Sequence, residues 1–167
     1  MSIAQSILPE FDHEMATTRK LLERAPEAQF GWKPHEKSMS LGQLANHLAA
    51  LPFWGVVTMK EVELDMNPPG GEGYKTPRLA TVAEILAAFD DNVGKARAAI
   101  ASSGDADFMV AWSLKNAGHT IFTMPRIAVL RTFVINHEIH HRGQFSVYLR
   151  LHNVPVPSIY GPTADES

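Results

Sequence analysis

The 167-residue sequence predicts an all-α fold: an antiparallel four-helix bundle with one long crossover and a small extended or hairpin segment before the last helix. Three observations lead there. Apolar residues recur at helical spacing in four separate segments. Two capping boxes, Ser40 with Gln43 and Thr81 with Glu84, mark helix starts. A stretch rich in proline and glycine, residues 65–79, separates the second segment from the third and is too long for a tight turn. The length suits one domain, residues 1–167, with a sizeable core.

The first helix covers about residues 3–24, with Ile7, Phe11, Met15 or Glu14, Thr18 and Leu22 at helical spacing. The sequence from Pro26 to Pro34 ends it, and Phe30 and Trp32 predict a connection folded back over the core. The second helix starts at Ser40 and fades near Leu64. Its inward stripe is Leu44, His47, Leu51, Trp54 and Thr58, and Pro52 predicts a kink. Residues 65–79 form either a plain crossover or a lid. The third helix starts at Thr81, buries Ile85, Phe89, Val93, Ala96 and Ile100, and ends at Ser102-Ser103-Gly104. Residues 107–113 and 119–123 alternate weakly around Lys115-Asn116-Ala117-Gly118, which predicts a short hairpin. One long helix then runs from Pro125, in its first turn, to Leu151, and the tail 154–162 is Pro-rich and extended.

Composition removes several classes of function. Net charge is −3 and the isoelectric point is near 6.2, so no basic field exists to hold nucleic acid. There are no cysteines, so disulfides and thiolate metal sites are excluded, and any transition metal must take nitrogen and oxygen ligands. No apolar run approaches the roughly 20 residues that span a membrane. The opening Met-Ser-Ile-Ala-Gln-Ser has no basic region followed by an apolar run, which predicts a cytoplasmic protein.

The chemistry concentrates in Asn136-His137-Glu138-Ile139-His140-His141-Arg142-Gly143-Gln144. Leu130, Val134, His137, His141, Gln144 and Tyr148 share one helical stripe. His137 and His141 sit one turn apart on it and form half of a metal site. The competing reading, two core imidazoles, demands a separate partner for each. His47 completes a three-histidine site if the second and fourth helices face each other. His140 falls about 60° from His137 and belongs at the rim, while Gln144 can orient an imidazole. Gly143 predicts close helix packing, and Arg142 a surface or interhelical ion pair. His35, His119 and His152 read as surface residues.

These residues resemble the DinB/YfiT-like superfamily over nearly the whole chain. Trp32-Lys33-Pro34 is similar to its aromatic-basic-proline loop, and Ser40-Leu41-Gly42-Gln43-Leu44-Ala45-Asn46-His47-Leu48 to its second-helix histidine motif. Asn136 to Gln144 carries the most specific likeness, and Val154 to Pro162 resembles the tail of one branch. The resemblance implies an up-down-down-up bundle, a homodimer, and one divalent metal on His47, His137 and His141. It also implies, for some members, a thiol-dependent S-transferase or isomerase that uses a low-molecular-weight thiol on a small-molecule substrate. Three imidazoles suit zinc, nickel or a similar ion.

Rival readings use the same residues. His137-Glu138-Ile139-His140-His141 satisfies the zincin pattern of a metal-dependent hydrolase, but Gly143 comes one residue too early for the longer metzincin motif. Glu10 with His13 and Glu138 with His141 are both Glu-x-x-His pairs, as in di-iron bundles. A non-catalytic metal-binding or ligand-binding stress protein is the remaining alternative. Three protein ligands leave a position open, the arrangement of catalytic zinc, which favours an enzyme. Glu138 is the candidate base, bordering the ligand stripe; its other reading is an ion pair with Arg142, four residues on. Ala128, Ile135 and Ile139 form an outer row on the last helix that predicts the dimer surface.

Overall fold

Three of the helices start at a hydroxyl that caps them. In the computed structural model, which describes residues 1–166, Ser2 Oγ accepts from the Gln5 N–H at 3.2 Å and opens α1 (Ile3–Leu22). Ser40 and Gln43 cap α2 (Leu41–Ala50) reciprocally at 3.1 and 2.8 Å. Pro52 lacks an N–H and interrupts the ladder, so the second segment breaks after α2 and resumes as α3 (Phe53–Lys60). Thr81 and Glu84 cap α4 (Val82–Ala101) at 3.2 and 3.1 Å. None of the helices is long and apolar enough to cross a membrane.

The all-α expectation is corrected by a three-stranded mixed sheet. β1 (Glu63–Asp65) follows α3; after α4, a single-turn helix α5 (Asp105–Phe108) leads into β2 (Ala111–Asn116) and β3 (His119–Pro125). The order is β1-β2-β3, with β1 parallel to β2 and β2 antiparallel to β3. Ala117 and Gly118 turn the hairpin with φ of 50° and 79°, the left-handed pair that matches strand twist. Asp65 Oδ2 accepts from the Gly118 N–H at 2.7 Å and Lys115 pairs with Glu63 at 2.6 Å, which fastens β1 to the hairpin. The sheet buries Trp112 and Leu114 against Val57 and Val129 in a small core of its own.

The last helix also departs from expectation. Pro125 closes β3 instead of occupying a first helical turn, and α6 (Arg126–Val129) passes through a π-helical stretch, Leu130–Ile135, into α7 (Asn136–Leu151). The wider turn inserts a residue into the helical register. Beyond it the innermost stripe runs Glu138, Arg142, Phe145 and Leu149, one position on from the stripe that carries His137 and His141. Ile135 is therefore buried and Ile139 packs against the core, so Ala128, Ile135 and Ile139 do not form an exposed apolar row. Gly143 is exposed, with open space around it, and does not serve close packing.

In the main core α4 packs on α1, α2 and α3, while α7 packs on α1 and α2. Two of its charged members, Arg142 and Glu14, pair with each other. Arg142, 1 % exposed, reaches Glu14 of α1 at 2.6 Å and its backbone carbonyl at 3.0 Å. Tyr160 of the tail donates its hydroxyl to Glu14 at 2.7 Å and accepts from Arg142 at 2.5 Å. The ion pair is thus interhelical and interior. Removing one partner strands the other charge, so Glu14→Ala is expected to cost about 3–5 kcal/mol in urea denaturation. The apolar double variant Glu14→Leu/Arg142→Met is expected to recover most of that loss; equal stability of Glu14→Ala and the unsubstituted chain would show that the pair is inert.

Candidate metal centre

The packing of α2 on α7 brings His47 to His137 and His141. All three are half-buried. His47 Nε2 lies 3.4 Å from His137 Nε2, and His141 Nε2 lies 2.9 Å from the same atom. One nitrogen from each ring falls within 4.8 Å of the others, the one such cluster of three among the described residues. Imidazoles on a tetrahedral ion at 2.0–2.1 Å sit about 3.3 Å apart, so the spacing suits a shared cation.

The outer ring nitrogens decide which way the lone pairs point. Gln144 Nε2 faces His140 Nε2 at 3.2 Å, which leaves its Oε1 to accept from His141 Nδ1–H at 2.7 Å. His137 turns its other nitrogen to the Phe133 carbonyl, one turn back. A ring that donates from one nitrogen is, when neutral, an acceptor at the other. With those outer nitrogens donating, His137 and His141 direct their inner lone pairs at one point, the arrangement a shared cation requires. Burial disfavours that proton: it lowers His47 and His137 to about 4, helped by the neighbouring imidazoles, and lowers His141 as well. Three neutral donors at physiological pH can hold a divalent metal ion.

The other sequence candidates lie elsewhere. Glu138 is 0 % exposed on the innermost stripe of α7, and neither of its oxygens has an aligned hydrogen-bond partner. Burial pushes its acid well above the ordinary carboxylate range, against the opposing pull of the Thr18 hydroxyl and Arg142. Arg142 spends its charge on Glu14, not on Glu138. Glu10 pairs with Arg131 at 3.1 Å and His13 lies beside the Tyr160 ring, so no di-iron cluster forms. His152, read as a surface residue, packs edge-on against Trp32 with ring centroids 4.4 Å apart. Sequence reasoning also passed over Asn46, buried beside His47, whose amide holds the backbone of Leu79 through both its groups.

The sequence profile of the DinB superfamily matches residues 10–145, and that span holds all three histidines. The chain belongs to the DinB superfamily. Its similarity extends to the uncharacterized protein YrdA of Bacillus subtilis strain 168, at 28% identity over 159 residues, covering 95% of this chain and 89% of that protein. A solved DinB-like protein from Bacillus cereus ATCC 10987 superposes with a TM-score of 0.71 at 22% identity, covering 95% of this chain and 98% of the other. The DinB-like protein YjoA of Bacillus subtilis gives 0.69 at 19% identity over 95% and 99%. The fold, sheet included, is accordingly DinB-like, and its helices α2 and α7 frame the histidines.

The depressed basicity has a measurable sign. In metal-free protein, NMR titration of the imidazole resonances is expected to place the midpoints of His47 and His137 near 4. The ligands then stay neutral as pH falls through 6, and metal is released only as pH approaches their midpoints. Midpoints near 6.5 for His47 and His137 would contradict the burial argument.

Proposed function

We propose that His47, His137 and His141 hold one divalent transition metal, zinc or nickel by donor type, and that the chain is a metal-dependent transferase of the thiol S-transferase kind. The observation that carries this reading is the convergence of three neutral imidazole nitrogens with no fourth protein donor among the described residues. A bound metal would supply Lewis acidity, which makes a thiol or a water nucleophilic at neutral pH. The chain's own part is orientation: Gln144 fixes the His141 ring, the Phe133 carbonyl fixes His137, and burial keeps both unprotonated. With no cysteine in the sequence, the thiol of such a reaction comes from a small molecule. Glu138, the base expected from the zincin-like spacing, is fully buried, and a neutral acid there packs rather than abstracts protons.

Elemental analysis of purified variants tests the proposal. His47→Ala, His137→Ala and His141→Ala are each expected to lose most of one equivalent of metal. His152→Ala and Glu138→Gln are expected to keep it. Full metal in all three ligand variants would end the reading. The transferase assignment is checked by turnover of an electrophile with glutathione, coenzyme A, bacillithiol or mycothiol, dependent on metal and abolished by His137→Ala; turnover that ignores the metal would contradict it.

A further inference from the structure

Two loops meet over the first turns of α2. Gly42 lets the first come close: its N–H donates to the Phe30 carbonyl at 3.0 Å, and a Cβ there would stand 2.8 Å from the Phe30 Cβ. Leu41 N–H donates to the Trp32 carbonyl at 2.9 Å, and the Tyr148 hydroxyl of α7 holds the Met39 carbonyl at 3.2 Å. The second loop is the end of the long crossover. Asn46 accepts from the Leu79 N–H at 2.8 Å and donates to the Leu79 carbonyl at 3.1 Å, as a neighbouring strand would. Between these two anchored segments lies a cleft of about 950 Å³ with His47 in its wall. That volume suits a small-molecule ligand.

Charge identifies the kind of ligand. Lys33 and Lys37 line the cleft from one loop, Arg78 lines it from the other, and no aspartate or glutamate does. None of the three forms an ion pair among the described residues, whereas Arg19, Arg24, Arg97, Arg131, Arg142 and Arg150 all do. Single exposed cations mean little. Three that converge from separate loops, in a chain of net charge −3, form a local positive field at the mouth of the histidine site.

We propose that this cleft binds the acidic part of a small-molecule substrate or co-substrate, a carboxylate or phosphate, between Lys33, Lys37 and Arg78. Arg78 offers a planar fork to two oxygens, and the lysines act as point charges. The rest of the molecule extends along the cleft toward His47. Placement of its reactive end rests on the metal-centre reading above; capture of the anion does not.

Amide NMR titration with glutarate, phenyl phosphate and uncharged dimethyl glutarate tests the proposal, on zinc-loaded and on zinc-free protein. Both anions are expected to shift the Ser40, Gly42 and Gln43 amides and the Trp32 indole, and the diester to leave them in place. The relative affinities of glutarate and phenyl phosphate tell which acid the cleft prefers. Combined Lys33→Gln, Lys37→Gln and Arg78→Gln substitution is expected to weaken binding about tenfold or more, with zinc content unchanged, and Lys60→Gln is expected to do neither. The proposal is overturned if neither anion shifts a cleft amide, or if the triple variant binds both as tightly as the unsubstituted chain. Cleft shifts in a chain that holds no zinc at its histidines would overturn the metal reading and leave the anion site standing.

Discussion

The inner nitrogens of His141 and His137 lie 2.9 Å apart, where their lone pairs repel when both outer nitrogens donate. That constraint organises the interior where α2 meets α7. Gln144 at the outer nitrogen of His141 and the Phe133 carbonyl one turn before His137 favour that arrangement. A proton could relieve the repulsion, but burial lowers the basicity of the rings and keeps it away at neutral pH. His47 adds a third ring nitrogen from the facing helix at 3.4 Å. A divalent metal would take a lone pair from each of the three at once.

The rest of α7 is built to hold that face steady. Its innermost stripe carries Glu138 and Arg142, two charged residue types, at the depth where Phe145 and Leu149 pack. Arg142 is neutralised by Glu14 and capped by the Tyr160 hydroxyl, so one buried ion pair joins α1, α7 and the C-terminal tail. The tail is held further by Arg24 on Glu166 and Arg150 on Asp165. Glu138 has no such partner, and its burial is the least compensated polar contribution in this part of the molecule. The π-helical stretch upstream sets the rotation at which these residues face inward and the histidines face α2.

Much of this was legible in the sequence. The caps at Ser40 and Thr81 are local chemistry, and Pro52 removes an N–H from the middle of the second helical segment, so those boundaries follow from residue type. His137 and His141 follow from four-residue spacing, and His47 from its place on an apolar stripe. What failed has common causes. The π-helical turn leaves no mark in hydrophobic periodicity, so the interior of α7 was read one residue off. Glu138 then falls at the border of the ligand stripe, and Arg142 is legible only as a surface or an interhelical pair until Glu14 on another helix is known. The β2–β3 hairpin is legible in the alternation before the last helix, but β1 is three residues long and carries no alternation to detect, so the third strand and the mixed fold class are not. The cationic cleft needs residues from loops about forty positions apart, and only the packing of both on α2 assembles it.

X-ray absorption at the metal edge, on protein loaded with one equivalent of zinc, tests the central claim most directly. Three imidazole nitrogens at about 2.0–2.1 Å are expected, falling to two in the small fraction of metal that His47→Ala retains. A spectrum without imidazole scattering, or one that His47→Ala leaves unchanged, would contradict the three-histidine centre.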